Sequence, residues 1–101
     1  MYRDFSPQID PVRNKVVLIT GGTGSFGRRM VHTLLSQYDP RKVIVLSRDE
    51  LKQYEMRCEL EETFPPEKMA RMRFFLGDVR DRARLELAFR GVDIVLHAAP
   101  L

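Results

Sequence analysis

The sequence predicts a doubly wound α/β fold: a parallel sheet in the strand order 3-2-1-4 with helices on both faces. Three observations carry this. Short apolar runs alternate with segments whose apolar residues recur at helical spacing, in the order β-α-β-α-β-α-β. The first two runs are apolar without alternation, as in strands covered on both faces of a parallel sheet. Small or polar residues (Thr20, Ser47, Gly77 and His97) close the four runs. Right-handed crossovers bring these four ends to one edge, where ligands bind in this architecture.

Residues 1–14 read as a polar, irregular leader with Pro7 and Pro11, in which Tyr2 or Phe5 offers a docking side chain; residues 15–101 read as the domain. Lys15–Thr20 is the first strand. From Ser25 to about Tyr38, Phe26, Met30, Val31, Leu34 and Leu35 form one buried helical stripe, His32 faces solvent, and Asp39-Pro40 ends the helix. Val43–Leu46 is the second strand. A helix opens at Ser47-Arg48-Asp49-Glu50, whose acidic residues favour a first turn, and Leu51, Tyr54 and Cys58 line its inner face. Cys58 reads there as a small core residue rather than a nucleophile, having no histidine near it in sequence. Thr63-Phe64-Pro65-Pro66 ends this helix, and a linker runs to Ala70. Met72–Leu76 is the third strand. Asp81 caps a helix with the apolar face Leu85, Ala88 and Phe89, Gly91 stops it, and Val92–His97 is the fourth strand.

The chain has 101 residues, 44% hydrophobic and 31% charged, an ordinary composition for one small globular domain. The net charge of +3 comes from 17 basic and 14 acidic side chains. The basic residues are scattered, which argues against a nucleic-acid footprint. One cysteine excludes an internal disulfide, no apolar run reaches the roughly 20 residues of a membrane span, and the N-terminus lacks a secretory h-region. The expectation is a cytoplasmic protein with neither nucleic-acid nor membrane partners.

Val16 to Gly27, Val-Val-Leu-Ile-Thr-Gly-Gly-Thr-Gly-Ser-Phe-Gly, passes from strand through a glycine turn into a helix. Gly21, Gly24 and Gly27 give the spacing G-x-x-G-x-x-G. Glycine lets phosphate oxygens approach backbone N–H groups, and Thr23, Ser25 and Phe26 share that turn. The helix behind it directs free N–H groups and its positive dipole end at the same place. A dinucleotide pyrophosphate site follows. Gly22 and Gly27 also have the gap of a P-loop, but Arg28 and Arg29 stand where Lys and Ser or Thr are required, which argues against a nucleoside triphosphatase.

Where NAD-binding versions place an acidic residue after the second strand, this chain has Ser47 and Arg48. A guanidinium grips a 2′-phosphate that a carboxylate would repel. Arg48, helped by Ser47 and Lys52, therefore argues for NADP over NAD, although Asp49 can still reach the ribose. Asp78 can accept from the adenine amino group, Val79 offers backbone contacts, and Ala98 and Ala99 leave room for the cofactor over the fourth strand. His97, at a strand end, reads as held by hydrogen bonds and is assigned no chemistry.

These residues together resemble the extended short-chain dehydrogenase/reductase family, whose NAD(P)-binding domain is Rossmann-type. Thr20-Gly21-Gly22-Thr23-Gly24-Ser25-Phe26-Gly27 is similar to its T-G-x-x-G-x-x-G fingerprint, Gly77-Asp78-Val79 to its adenine motif, and Asp93–Ala99 to its fourth-strand signature. Ser47-Arg48-Asp49-Glu50-Leu51-Lys52-Gln53-Tyr54-Glu55-Met56 resembles more narrowly the polysaccharide-biosynthesis group of UDP-N-acetylglucosamine 4,6-dehydratases. The resemblance, from about Asn14 to Ala99, implies NADP-dependent removal of water from a nucleotide sugar, with hydride taken from C4 and returned at C6. It also implies that the Tyr-x-x-x-Lys pair and the sugar-binding part lie beyond the fourth strand, so no catalytic residue is expected within these 101 residues. The chain alone is then expected to be inactive. The alternatives are a stand-alone dinucleotide-binding or interaction module and a piece of another extended reductase, such as a nucleotide-sugar 4-epimerase. An apolar fourth strand at the sheet edge is expected to self-associate or to pair with a catalytic half.

Overall fold

A computed structural model describes residues 10–98. Its elements are β1 (Val16–Thr20), α1 (Ser25–Gln37), β2 (Lys42–Ser47), α2 (Glu50–Thr63), α3 (Pro66–Met69), β3 (Met72–Leu76), α4 (Arg82–Ala88) and β4 (Ile94–His97). All strand pairings are parallel, in the order β3-β2-β1-β4, as the sequence predicts. In register, Ile19 of β1 stands between Val45 of β2 and Leu96 of β4, and Val45 in turn faces Phe74 of β3.

The two faces of the sheet are filled unequally. On one, Val17, Ile19, Val43 and Val45 pack with Val31, Leu34 and Leu35 of α1 and with Met56 and Leu60 of α2. On the other, a smaller cluster joins Leu18 and Leu46 to Ala88 of α4, with Ile44, Phe75, Leu85 and Val92 partly buried around it. β1 is buried along its whole length because it lies between two strands and under helices on both sides.

The segment before β1 is docked onto this layer. Val12 is in the larger core, Arg13 bridges Pro40, and the Asp10 carboxylate accepts the N–H groups of Val12 and Asp39. The Tyr2 and Phe5 expectation lies outside the described residues. At the same end of the sheet, Arg71 pairs with Asp39 and donates to the Pro40 carbonyl. The Asp39 carboxyl is held below its ordinary range chiefly by the hydrogen bond from Arg71 and by that residue's charge.

Several local expectations are corrected. The buried stripe of α1 runs through Gly27, Val31, Leu34 and Leu35, while Phe26 is 55% exposed. Phe26 belongs to the first turn, and the close approach of Gly27 to the glycine loop fixes the helix's rotation so that Phe26 points outward. The inner face of α2 is Gln53, Met56 and Leu60, not Leu51, Tyr54 and Cys58. Leu51 and Tyr54 are both 65% exposed, and Cys58 is half-buried. The phase of α2 is set by polar contacts at its start, described below, which outweigh the apolar side chains on the opposite face. Phe89 is largely exposed beyond the end of α4, the linker before Ala70 contains α3, and β4 starts at Ile94. Before β4, Asp93 turns its carboxylate to the Val16 N–H. Gly91, at φ 72°, follows α4 in the left-handed conformation that ends helices.

Candidate functional site

The glycines after β1 do three different jobs. Gly21 takes φ 69°, a conformation that side chains disfavour, and its N–H donates to the Leu46 carbonyl at 2.8 Å. Gly22 and Gly27 make room within the protein. A Cβ on Gly22 would lie 2.7 Å from a Val45 methyl, and one on Gly27 only 2.5 Å from the Gly22 Cα. Gly24 answers to neither need. Its φ of −76° is open to any residue, and the nearest atom to an added Cβ is the Gly21 carbonyl oxygen at 3.6 Å. The fold itself leaves Gly24 room for a side chain.

Gly24 is also the N-cap of α1, and it brings no side chain to the helix start. The first helical bond is from Arg28 N–H to the Gly24 carbonyl at 2.9 Å, so the N–H groups of Ser25, Phe26 and Gly27 precede the ladder. None of the three has an acceptor among the described residues. Gly27 is buried, whereas Ser25 and Phe26 are exposed. Arg28 steadies the loop from behind: its Nε donates to the Thr23 carbonyl at 3.0 Å, and its guanidinium pairs with Glu59 of α2.

The end of β2 joins this loop through side chains. The Ser47 hydroxyl stands 3.1 Å from that of Thr23 and accepts the Asp49 N–H at 3.0 Å. Asp49 caps α2 by accepting the Lys52 N–H at 3.0 Å. Between these fixed neighbours, Arg48 extends a side chain that is 72% exposed, its guanidinium 3.5 Å from the Asp78 carboxylate. Gln53, buried under the same turn, donates to the carbonyls of Ser47 and Phe75.

Across the cleft, Asp78 follows β3. Arg80 donates to it from both its backbone and its guanidinium, at 2.8–3.2 Å. Those hydrogen bonds, side chain first, hold the Asp78 carboxyl well below the usual carboxylate range, with the charges of Arg80 and Arg48 acting in the same direction. Asp78 is therefore an acceptor at any ordinary pH. Gly77 lets Arg84 fold over β3, since a Cβ there would lie 2.7 Å from the Arg84 Cγ.

A cleft of about 550 Å³ runs between these pieces, a size typical of small-molecule sites. Gly21, Thr23 and Gly24 form its floor, Ser47, Arg48, Asp49 and Lys52 one wall, and Asp78 and Val79 the other. The fold thus brings most of the sequence-derived set together. Ser25 and Phe26 stand at the helix start beside the cleft without lining it, Gly27 lies beneath the loop, and half-buried Ala98 follows β4. Ala99 lies outside the described residues. His97 is held by a hydrogen bond between its Nδ1 and the Thr20 hydroxyl, as expected. Sequence reasoning missed three residues: Arg80, Arg28 and Gln53. Arg80 had a signal, since a residue two places after an aspartate is positioned to close an Asx turn onto it. Gln53 had none, because both its partners are backbone carbonyls at the ends of two strands.

Comparison with known proteins agrees with this geometry. Residues 17–101 match the family described as "Polysaccharide biosynthesis protein". A UDP-N-acetylglucosamine 4,6-dehydratase (inverting) of Campylobacter jejuni is 51% identical over 87 residues, covering 86% of this chain and 24% of the relative. A UDP-glucose 4-epimerase of Rickettsia akari is 40% identical over 91 residues, covering 87% of this chain and 25% of the relative. Among solved structures, Pen from Bacillus thuringiensis superposes with a TM-score of 0.77 at 32% identity, covering 90% of this chain and 26% of that one. The chain thus spans about a quarter of the length of these relatives. No helix among the described residues is long and apolar enough to cross a membrane. With its 3-2-1-4 parallel sheet, its glycine loop and a family match along most of its length, the chain belongs to the polysaccharide-biosynthesis family of extended short-chain dehydrogenases/reductases.

Proposed function

We propose that the cleft is the adenosine–pyrophosphate half-site for NADP in a nucleotide-sugar 4,6-dehydratase acting on a UDP-N-acetylglucosamine-like substrate. The observation that carries the cofactor reading is Gly24, a glycine at an uncapped helix start that the protein's own packing does not require. A group that needs backbone N–H donors and no side chain above them accounts for it, and a pyrophosphate is such a group. The Ser25 and Phe26 N–H groups donate to it. Arg48 and Lys52 meet the 2′-phosphate, and Ser47 and Asp49 hold the turn that presents them. Asp78 accepts from the adenine amino group beside Val79, and the small side chain of Ala98 leaves clearance. The cofactor would supply the hydride chemistry, while these residues bind and orient it. The substrate assignment follows the dehydratase, the more similar of the two relatives.

Calorimetric titration of the chain with NADP⁺, NAD⁺ and 2′,5′-ADP tests the cofactor reading. NADP⁺ and 2′,5′-ADP bind, NAD⁺ binds more weakly, and Arg48→Ala removes the preference by roughly ten- to a hundredfold, the range for a lost charge-assisted pair. Equal binding of NADP⁺ and NAD⁺, or none of either, refutes it. The epimerase likeness supports a second reading, a nucleotide-sugar 4-epimerase. Turnover by a full-length protein that carries this chain separates the two: a 4-keto-6-deoxy product belongs to the dehydratase and a C4-inverted sugar to the epimerase. The outer edge of β4 has no strand partner among the described residues and carries the exposed Val95. We propose that it pairs with a strand outside residues 10–98, in the same protein or a second copy. Sedimentation of the chain across a concentration series detects the second case.

A further inference from the structure

Gln53 is 7% exposed, on the face of α2 that also buries Met56 and Leu60. A buried amide is unfavourable unless it is hydrogen-bonded, and an aliphatic residue would fill this place without that demand. Its bonds therefore define its use. Nε2 donates to the Ser47 carbonyl at 3.2 Å and to the Phe75 carbonyl at 3.1 Å. The Ser47 carbonyl also accepts the Gly77 N–H at 2.9 Å. One amide thus ties together the strand ends that carry the two walls of the cleft, Ser47–Arg48 and Gly77–Asp78.

Arg48 is the residue this affects. Among the described residues its side chain is held by one ion pair, at 3.5 Å to Asp78, and with the arginine 72% exposed such a pair holds a long side chain weakly. Its backbone is fixed on both sides: the Ser47 carbonyl by Gln53, the Ser47 hydroxyl by the Asp49 N–H, and Asp49 by the Lys52 N–H. We propose that Gln53 is a positioning residue for cofactor specificity, aiming Arg48 at the 2′-phosphate by locking the Ser47–Arg48 peptide against β3. This rests on the NADP reading above.

The test is a double-mutant cycle on the full chain. NADP⁺ and NAD⁺ are titrated into wild type, Gln53→Met, Arg48→Ala and the double variant, with melting curves for each. The readout is the ratio of the two affinities, which a purely structural defect leaves unchanged. In Gln53→Met the ratio falls about tenfold, one misaligned charge-assisted hydrogen bond, while NAD⁺ affinity is retained. On the Arg48→Ala background the same substitution changes the ratio no further. An unchanged ratio in Gln53→Met, or an additive loss in the double variant, overturns the proposal. If Gln53→Met does not fold, Gln53→Leu, which fills a similar space with no donor, is read in the same way; failure of both to fold makes Gln53 structural and also overturns it. A wild type that takes NADP⁺ and NAD⁺ alike defeats the NADP reading itself, whereas a discriminating wild type with an unaffected Gln53→Met defeats this inference alone.

Discussion

Three helices, α1, α2 and α4, begin at the same edge of the sheet, and two of them start differently from the third. α2 is capped by Asp49, which accepts from the Lys52 N–H, and α4 by Asp81, which accepts from the Arg84 N–H. Those starts are self-sufficient. α1 is capped by Gly24, which accepts from nothing with its side chain because it has none. The backbone of all three caps is extended, so an aspartate could serve α1 as well as it serves the others. Two helix starts are finished by a side chain and one is not, and that one stands beside the cleft floor formed by Gly21, Thr23 and Gly24. On the proposed cofactor reading, the difference separates residues that serve the fold from a position kept for a ligand.

Making the three starts alike is the sharpest way to break this comparison. Gly24→Asp has room for its Cβ and gives α1 the missing cap, so stability holds or rises by about the few tenths of a kcal/mol that separate glycine from aspartate at an N-cap, read as an unchanged or higher melting temperature. The same carboxylate opposes the pyrophosphate, so NADP⁺ binding falls by about a hundredfold or more, the effect of a like charge in a charge-assisted site. Gly27→Val gives the reverse pattern. Its Cβ meets the Gly22 backbone, which cannot swing aside as a side chain could, and the chain loses about 1–3 kcal/mol or fails to fold. Equal stability losses in the two variants would show that Gly24 serves the fold after all.

The converse change is smaller. Asp49→Ala and Asp81→Ala each remove a cap and lower stability by about 1 kcal/mol, read as a shift in the urea midpoint. They differ in what else they do. Asp81 lies outside the cleft lining, so its loss leaves the NADP⁺ to NAD⁺ ratio where it was. Asp49 anchors the turn that carries Arg48, so its loss lowers that ratio as well. A ratio that responds equally to both would remove the distinction between a cap and a frame for the site.

The same contrast explains what could be read before the fold was known. Strand order was legible because mostly apolar runs, each ended or followed by a small or polar residue, alternate with helical segments, and right-handed crossovers then leave one simple order. The position of the cleft followed from that order. The inner face of α2 was not legible. Leu51, Tyr54 and Cys58 look like a core stripe, and what turns Leu51 and Tyr54 outward and leaves Cys58 half-buried is the Asp49 cap together with the Gln53 bonds to Ser47 and Phe75. Those partners lie 6 and 22 residues away and meet only once the sheet exists. Phe26 misled for a related reason: the apolar spacing held, but Gly27 seated on the Gly22 backbone set the rotation of α1. The glycine motif was legible as a motif. The division of labour within it was not, since it depends on which Cβ positions meet backbone.

The weakest effect distinguishes the two ends of the sheet by pH. Asp78 at the cleft edge and Asp39 at the opposite edge both have carboxyls depressed below the ordinary 3.8, by Arg80 and Arg71 respectively. A depressed carboxyl in the folded state means that the unfolded chain takes up protons first as pH falls. The contribution to stability is therefore complete above about pH 5 and drains away below pH 4, as the folded carboxyls are approached. Asp39 is exposed and Asp78 is only half-buried, so solvent screening keeps the effect small. Melting temperature should be flat from pH 7 to 5 and decline below 4, with Asp78→Asn and Asp39→Asn each flattening part of the decline. Ligand separates them. Saturating NADP⁺ at pH 4 raises the midpoint of the Asp39→Asn chain as much as that of wild type, and raises that of Asp78→Asn less, because only Asp78 stands in the cleft. An equal rise in both variants would remove Asp78 from the cofactor site and leave it as a brace for Arg80.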